Sequence, residues 1–294
     1  MTQLRVAAMQ YSLEDLGSEG QFWNRLSLSI REEAGKGADL VVFPEYMTAH
    51  LLSLHPAMTH EEACLYLDGR TAEYVRFFRQ CSREYQVGIL GGTHICKDAA
   101  GYVNRAFLFF PDGRVETQDK LHVTPEERSL WSLVEGDRLN IIETEWGKLA
   151  ILTCYDIEFP ELGRMAADSG AELILCPSYT DTAFGYHRVR HCAQARAVEN
   201  QLFVVLSGIV GELEDPRPQI DQGYGLAGVF TPCDFPFYEH GVQQAGELNR
   251  GMAVLADMDF SALSRNRKQG AVAPFFDRRP GLYARHGQAM VREW

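Results

Sequence analysis

No apolar run in this 294-residue chain approaches the roughly 18 residues that a membrane-crossing helix needs, so no such span is expected and a membrane is not an expected partner. Basic residues are also scarce. Lys and Arg number 28 against 40 Asp and Glu, a formal charge of -12, and no Lys/Arg-rich arm offsets it. An acidic surface repels phosphate backbones, which argues against nucleic acid as a partner. Paired cysteines are missing as well. Cys64, Cys81, Cys96, Cys154, Cys176, Cys192 and Cys233 are odd in number, widely spaced and never in a C-x-x-C arrangement. Neither a disulfide framework nor ordinary zinc spacing fits that pattern. The first residues, from Met1 to Met9, run straight into a strand-like pattern without the features of a signal peptide, and a reducing cytosol is the expected compartment. No linker-like stretch interrupts the chain, so residues 1–294 are expected to form one domain.

What is present is ordinary globular composition, 46% hydrophobic and 23% charged. Short apolar runs alternate with helical stripes. Leu4–Met9, Leu40–Phe43, Val87–Thr93, Ala106–Phe110, Val115–Lys120, Leu139–Thr144, Leu149–Thr153, Leu173–Cys176, Leu202–Ser207 and Met252–Met258 read as strands. Phe22–Ala34, Ala72–Tyr85, Pro160–Ser169, Tyr186–Asn200 and Phe260–Arg267 read as helices. Thr124–Trp131 reads as polar, then partly helical. Glu212–Asp221, acidic and Pro-rich, reads as a surface loop, and the tail after Pro274 carries no strong period. One segment echoes another. Gly37-Ala-Asp-Leu-Val-Val-Phe-Pro-Glu-Tyr46 matches Gly170-Ala-Glu-Leu-Ile-Leu-Cys-Pro-Ser-Tyr179 in register, and each follows a strand and a helix. The repeat suggests two β-α-β halves, each building one sheet, packed face to face with helices outside. The loops carrying Glu45 and Ser178 would then meet at one end, where α/β sheets place ligands.

The stretch from Leu149 to Arg164 organises the rest. A buried strand ends at Cys154, a polar turn follows, and Pro160 opens a helix with Glu161 behind it. A cysteine at a strand tip facing a helix start is held in place and can have its thiolate favoured. Glu45, after the strand stopped by Pro44, and Lys120 stand at two further strand ends. A thiol needs a base, which a partly desolvated Glu45 can supply. A tetrahedral oxyanion needs donors, which Lys120 and the backbone N–H of Tyr155 can supply. Together the three suit acyl transfer.

Phe43-Pro-Glu-Tyr46, Asp119-Lys-Leu-His122 and Cys154-Tyr-Asp-Ile-Glu-Phe-Pro-Glu161 resemble, in order and spacing, the three signatures of the nitrilase, or carbon–nitrogen hydrolase, superfamily. The resemblance runs from about Leu4 to Asp257. It implies an α/β fold, a four-layer αββα sandwich of two packed sheets with helices on the outer faces. It implies Glu45 as general base, Lys120 as oxyanion stabiliser and Cys154 as nucleophile, with no metal or organic cofactor. A second acid beyond the Lys positions substrate or water in such proteins; Thr124-Pro-Glu-Glu-Arg offers Glu126 and Glu127, and the Glu-Arg pair favours Glu127. A homodimer or higher homo-oligomer through Pro160–Ser169 and Tyr186–Asn200 is also implied. Residues 275–294 are left as a C-terminal tail that either contacts a partner subunit or is loose.

Tyr155-Asp156 after the nucleophile resembles the amidase-like branch rather than the nitrile-acting one. Glu158 departs from it, since many such members carry Arg there. The expected reaction is therefore thiol-dependent cleavage of a small amide or N-carbamoyl compound. A nitrilase and a non-catalytic dimeric scaffold are the alternatives. Tyr46, Tyr155, Ser178, Tyr179 and Asp181 are the candidate pocket walls. Three other features carry weaker signals. Gly223-Tyr-Gly-Leu-Ala-Gly228 fits G-x-G-x-x-G but leads into no helix. His187 and His191 share a helical face beside Cys192 but lack a further ligand. Cys176 ends a strand as Cys154 does, yet its Pro177-Ser178 turn lacks the motif, and it reads as core or pocket wall.

Overall fold

A computed structural model describes residues 3–287. The first half builds β1 (Gln3–Leu13), α1 (Glu19–Gly35), β2 (Leu40–Val42), α2 (His60–Asp68), α3 (Thr71–Tyr85), β3 (Gly88–Asp98), β4 (Gly101–Phe109) and β5 (Val115–Asp119). The second half builds β6 (Ile142–Thr144), β7 (Gly147–Ile151), α4 (Pro160–Asp168), β8 (Leu173–Ser178), α5 (Ala183–Asn200) and β9 (Phe203–Arg217). There follow β10 (Ile220–Gly223), β11 (Gly228–Phe230), β12 (Val242–Ala245), β13 (Met252–Asp259), α6 (Phe260–Gln269) and α7 (Pro280–Gly287).

The strands form one large mixed sheet in the order β5-β4-β3-β2-β1-β9-β8-β7-β6. β1 joins the two halves. Its residues 6–8 pair with β2 and its residues 10–13 with β9, both in parallel, while β13 runs antiparallel along Gln3–Gln10. Each half repeats one pattern: three parallel strands, β1-β2-β3 or β9-β8-β7, then an antiparallel neighbour, β4 or β6.

Local chemistry explains the elements. Ser18 caps α1 by accepting from Gln21 N at 3.1 Å, and Glu19 sits in the positive first turn. Phe22, Leu26 and Ile30, at helical spacing, are fully buried, each contributing about 2 kcal/mol of transfer free energy. Pro160 opens α4 at its first position. Strand residues alternate between core layers. Leu40 and Val42 pack with Leu173, Leu175, Leu149 and Ile151 of the other half. Val41 and Phe43 face the opposite way, toward the layer holding α1 and α3 residues. Ile174 and Cys176 face the layer holding α4 and α5 residues. A one-residue slip in any of these strands would exchange the layers.

Some expectations change. Glu212–Asp221 is not a free loop: β9 continues to Arg217 and turns into β10. Only Leu213 and Ile220 anchor it in the core, so its acidic residues masked a strand. The turn at Met47–Leu54, α2 and β12 were not foreseen, being too short or too weakly periodic. The tail is ordered enough locally to form α7, and Arg278 pairs with Asp168 of its own chain at 2.6 Å. Residues 288–294 of that tail lie outside the described residues. Gly223 ends β10 and Gly228 opens β11, with no helix after them. Among the described residues no cluster of His, Cys, Asp or Glu could hold a metal, the His187–His191 pair included. No helix among them is long and apolar enough to cross a membrane.

Candidate active site

The two echoing loops meet. Pro44, which has no N–H to donate, ends β2 and turns Glu45 away from the ladder. Tyr46 follows with φ 57°, its N–H held by Thr93 Oγ1 at 2.9 Å. Gly92, at φ 75°, lies so close that a Cβ there would fall 1.9 Å from the Pro44 carbonyl oxygen. From the other half, the backbone N–H of Tyr179 donates to Glu45 Oε2 at 3.0 Å.

Lys120 stands just past β5 and is 2% exposed. Its ammonium donates to Glu45 Oε1 and to both oxygens of Glu127, each at 2.8 Å. Asn104, from β4, holds the two acids in place, donating to Glu45 at 2.9 Å and Glu127 at 3.2 Å. Tyr46 OH also donates to Glu127. Glu127 closes a reciprocal cap with Thr124: its carboxylate accepts from Thr124 N at 2.7 Å and its own N–H donates to Thr124 Oγ1. Its neighbour Glu126 is exposed at the cavity mouth. Of the two acids offered by the sequence, Glu127 is the one that reaches Lys120.

Cys154 opens a tight turn of helix, Cys154–Glu158, with φ 48°. A non-glycine residue in the left-handed region carries strain of about 1–3 kcal/mol, which surrounding contacts must hold. Asp156 supplies them. Fully buried, it accepts from His122 N at 2.8 Å, Leu121 N at 3.2 Å and Thr153 N at 3.3 Å. Lys120 and Cys154 are thereby tied to one carboxylate through their chain neighbours. The Cys154 thiol donates to the Tyr179 carbonyl at 3.5 Å.

Burial sets the electrostatics. It raises the Glu45 carboxyl above the ordinary range; the Lys120 ammonium opposes this and the Glu127 charge adds to it. Burial pushes Glu127 upward too, but the Lys120 charge and the hydrogen bonds from Lys120, Tyr46 and Thr124 outweigh it and hold Glu127 low. Two adjacent carboxylates are thus driven apart, one toward proton exchange and one toward permanent charge. Burial disfavours the charged form of Lys120, yet Glu127 and Glu45 keep it protonated. Burial, with Glu45 adding and Lys120 opposing, lifts the Cys154 thiol well above its usual value. The resting thiol keeps its proton and needs a base to become nucleophilic.

Glu45, Lys120, Glu127 and Cys154 all line one cavity of about 440 Å³. Tyr46, Tyr155, Tyr179 and Asp181 line it too. Ser178 is buried in the wall of a small adjoining space, with its hydroxyl near enough to the Cys154 sulfur to oppose the rise of that thiol. Cys176 is buried core. Asn104 and the clamping role of Asp156 were missed in the sequence. Asn104 gave no signal, since it sits beside Arg105 in the polar first half of β4, ahead of the apolar run. Gln219 and Asp221 were hidden in the supposed loop.

The carbon-nitrogen hydrolase family model matches residues 5–270. This chain belongs to the carbon-nitrogen hydrolase family. It is similar to the probable hydrolase YhcX of Bacillus subtilis, 39% identical over 280 residues, which are 95% of this chain and 54% of that protein. The chain thus spans about half the length of that relative. It is also similar to the omega-amidase NIT2 of Homo sapiens, 25% identical over 294 residues covering 97% of this chain and 98% of the relative. Among solved structures, an amidase from Nesterenkonia sp. AN1 of the nitrilase superfamily shares the fold, with a TM-score of 0.70 at 20% identity, covering 96% of both chains. In that structure the acetamide moiety of fluoroacetamide is added covalently at the active-site cysteine. The (R)-stereoselective amidase of Pseudomonas sp is a further relative, 33% identical over 179 residues, which are 60% of this chain and 61% of that protein.

Proposed function

We propose that this carbon-nitrogen hydrolase cleaves the non-peptide C–N bond of a small amide or N-carbamoyl compound through a thioester on Cys154. The observation that carries the reading is the convergence of a base, a buried ammonium and a strained cysteine on one cavity. In the first step Glu45 takes the thiol proton and the sulfur bonds to the carbonyl carbon. Lys120 and the Tyr155 N–H receive the resulting oxyanion. Glu45 returns the proton to the leaving nitrogen as the C–N bond breaks. A water molecule, aligned by Glu127 and deprotonated by Glu45, then attacks the thioester, frees the acid and leaves the thiol protonated. The residues alone balance each step, so the proposal needs no metal or organic cofactor.

The same reading extends to architecture. The core layer shared by β2 and β8, flanked by two layers under helices, supports a four-layer αββα sandwich within one domain. Met165 on α4 and Phe184 on α5 are 53% and 82% exposed, apolar surface that suits a homodimer contact on these helices. Seven unpaired cysteines support a cytoplasmic setting. The test is a panel of amides and carbamoyl compounds monitored for ammonia or amine release, with intact mass recording the acyl adduct. Wild type is expected to release product and form the adduct, and Cys154→Ala to do neither. Equal turnover by Cys154→Ala would end the proposal.

A further inference from the structure

Beyond the four catalytic groups, the cavity wall offers acceptors and few donors. Glu126, Asp181 and Asp221 line it, and none of them forms an ion pair with Lys or Arg among the described residues. Arg188, the other described cation in the wall, sets its Nε 3.4 Å from Glu158. Asp221 accepts from Tyr179 OH at 3.1 Å and from Gln222 N through one oxygen, Oδ1, leaving Oδ2 open. Both Asp221 and Asp181 lie close enough to Tyr179 to act on its phenol, whose ionisation burial opposes first and these two charges oppose further. Gln219 is an independent sign of a ligand. It is 4% exposed, lines the cavity and donates through Nε2 to the Met58 carbonyl at 3.0 Å, while its Oε1 accepts from no described group. That oxygen stays open to the cavity, an acceptor within reach of a ligand N–H. Aromatic faces complete the wall: Trp131 stacks on Tyr46 with ring centroids 5.3 Å apart, and both line the cavity with Tyr179.

We infer that the amide processed at Cys154 carries a cationic, N–H-donating group remote from the scissile bond, seated against Asp221, Asp181 and the Gln219 carbonyl. An ammonium or guanidinium supplies the donors that this wall lacks, and its charge is attracted by the carboxylates and by the aromatic faces. An anionic amide meets unpaired carboxylates there, a repulsive arrangement that selects against it. This inference rests on the amide-hydrolase reading and specifies the substrate class of that site.

The experiment compares amides of similar length with different far ends: cationic 5-aminopentanamide, its neutral isostere hexanamide and the anionic monoamide of glutaric acid. A second isosteric pair, N-(4-aminobutyl)acetamide and N-pentylacetamide, places the charge on the amine side. In at least one series the cationic member is expected to exceed its neutral counterpart in kcat/KM by about tenfold or more, the equivalent of about 1.4 kcal/mol, with the anionic amide lowest. Asp221→Asn is expected to reduce the cationic-to-neutral ratio about tenfold, and added salt to erode it. Binding to Cys154→Ala, followed by calorimetry, reads the same preference without turnover. Equal binding and turnover of cationic and neutral members in both series, or a preference for the anionic amide, overturns the inference while leaving the hydrolase reading intact. Absence of turnover in wild type with charge-selective binding to Cys154→Ala supports the inference and sinks the amidase reading instead.

Discussion

Asp156 offers the sharpest test of how the site is assembled. Replacing it by Asn keeps its shape and exchanges one acceptor oxygen for a donor NH2. If the remaining carbonyl stays on His122 N, the new amide faces the N–H groups of Leu121 and Thr153, which formerly met Oδ2 at 3.2 and 3.3 Å. Two buried donors then lose their acceptor, at about 1–3 kcal/mol each, so a loss of about 2–6 kcal/mol is expected out of a total stability of about 5–15 kcal/mol. The damage is also local. Leu121 follows Lys120 and Thr153 precedes Cys154, so both residues of the proposed mechanism lose a tether. A misplacement on the order of 1 Å costs about a hundredfold in rate. Urea denaturation measures the first effect, and kcat/KM under conditions where the variant is folded measures the second. A stability change below about 0.5 kcal/mol, with kcat/KM within about twofold of wild type, would refute the claim that Asp156 holds the two catalytic loops together.

Two further outcomes follow from the same geometry. The Glu127 charge is one of the causes that raise Glu45. Glu127→Gln is therefore expected to lower the Glu45 pKa, and because Glu45 must shed its proton to act as the proposed base, the acid limb of kcat/KM is expected to move to lower pH; a pH–rate profile in which the limb stays or moves upward contradicts this. Gly92→Ala sets a Cβ against the Pro44 carbonyl at a positive φ, and a loss of at least about 2 kcal/mol is expected from the urea midpoint, whereas an unchanged midpoint would show that the two backbones part easily.

Much of this was legible in the chain itself, for identifiable reasons. Leu40–Phe43 is a continuous apolar run stopped by Pro, so its end could be placed to within a residue, and Glu45 with it, whereas β8 does not stop at Pro177 as expected but pairs through it to Ser178. Cys154 and Lys120 stood at strand ends, where the repeat brings loops together. Asn104 and Asp156 were harder, because their importance lies in partners 59 and 34 residues distant. A buried polar side chain gives no periodic signal; only the register of β4 against β5, and the path of the turn after Cys154, show what it meets. The acceptor wall was hidden for the opposite reason. Gln219 and Asp221 lie among exposed acidic and Pro residues, whose composition reads as solvent until β9 and β10 pair. Ser178, placed in the pocket by analogy with Glu45, sits behind it, because the backbone of Tyr179, and not that hydroxyl, is what the second loop presents to the first.

Lys120, with a carboxylate on either side, has a bearing on how the proposed chemistry begins. Three ionised groups in contact, each 3% exposed or less, sum to a single negative charge. When sulfur surrenders its hydrogen to residue 45, that charge is relocated by one atom-to-atom hop and no fresh ion is created in the interior. The fixed ammonium faces the same total before and after. A thiol that the interior holds neutral can thus become reactive at little electrostatic expense, provided its acceptor was already anionic when the substrate arrived.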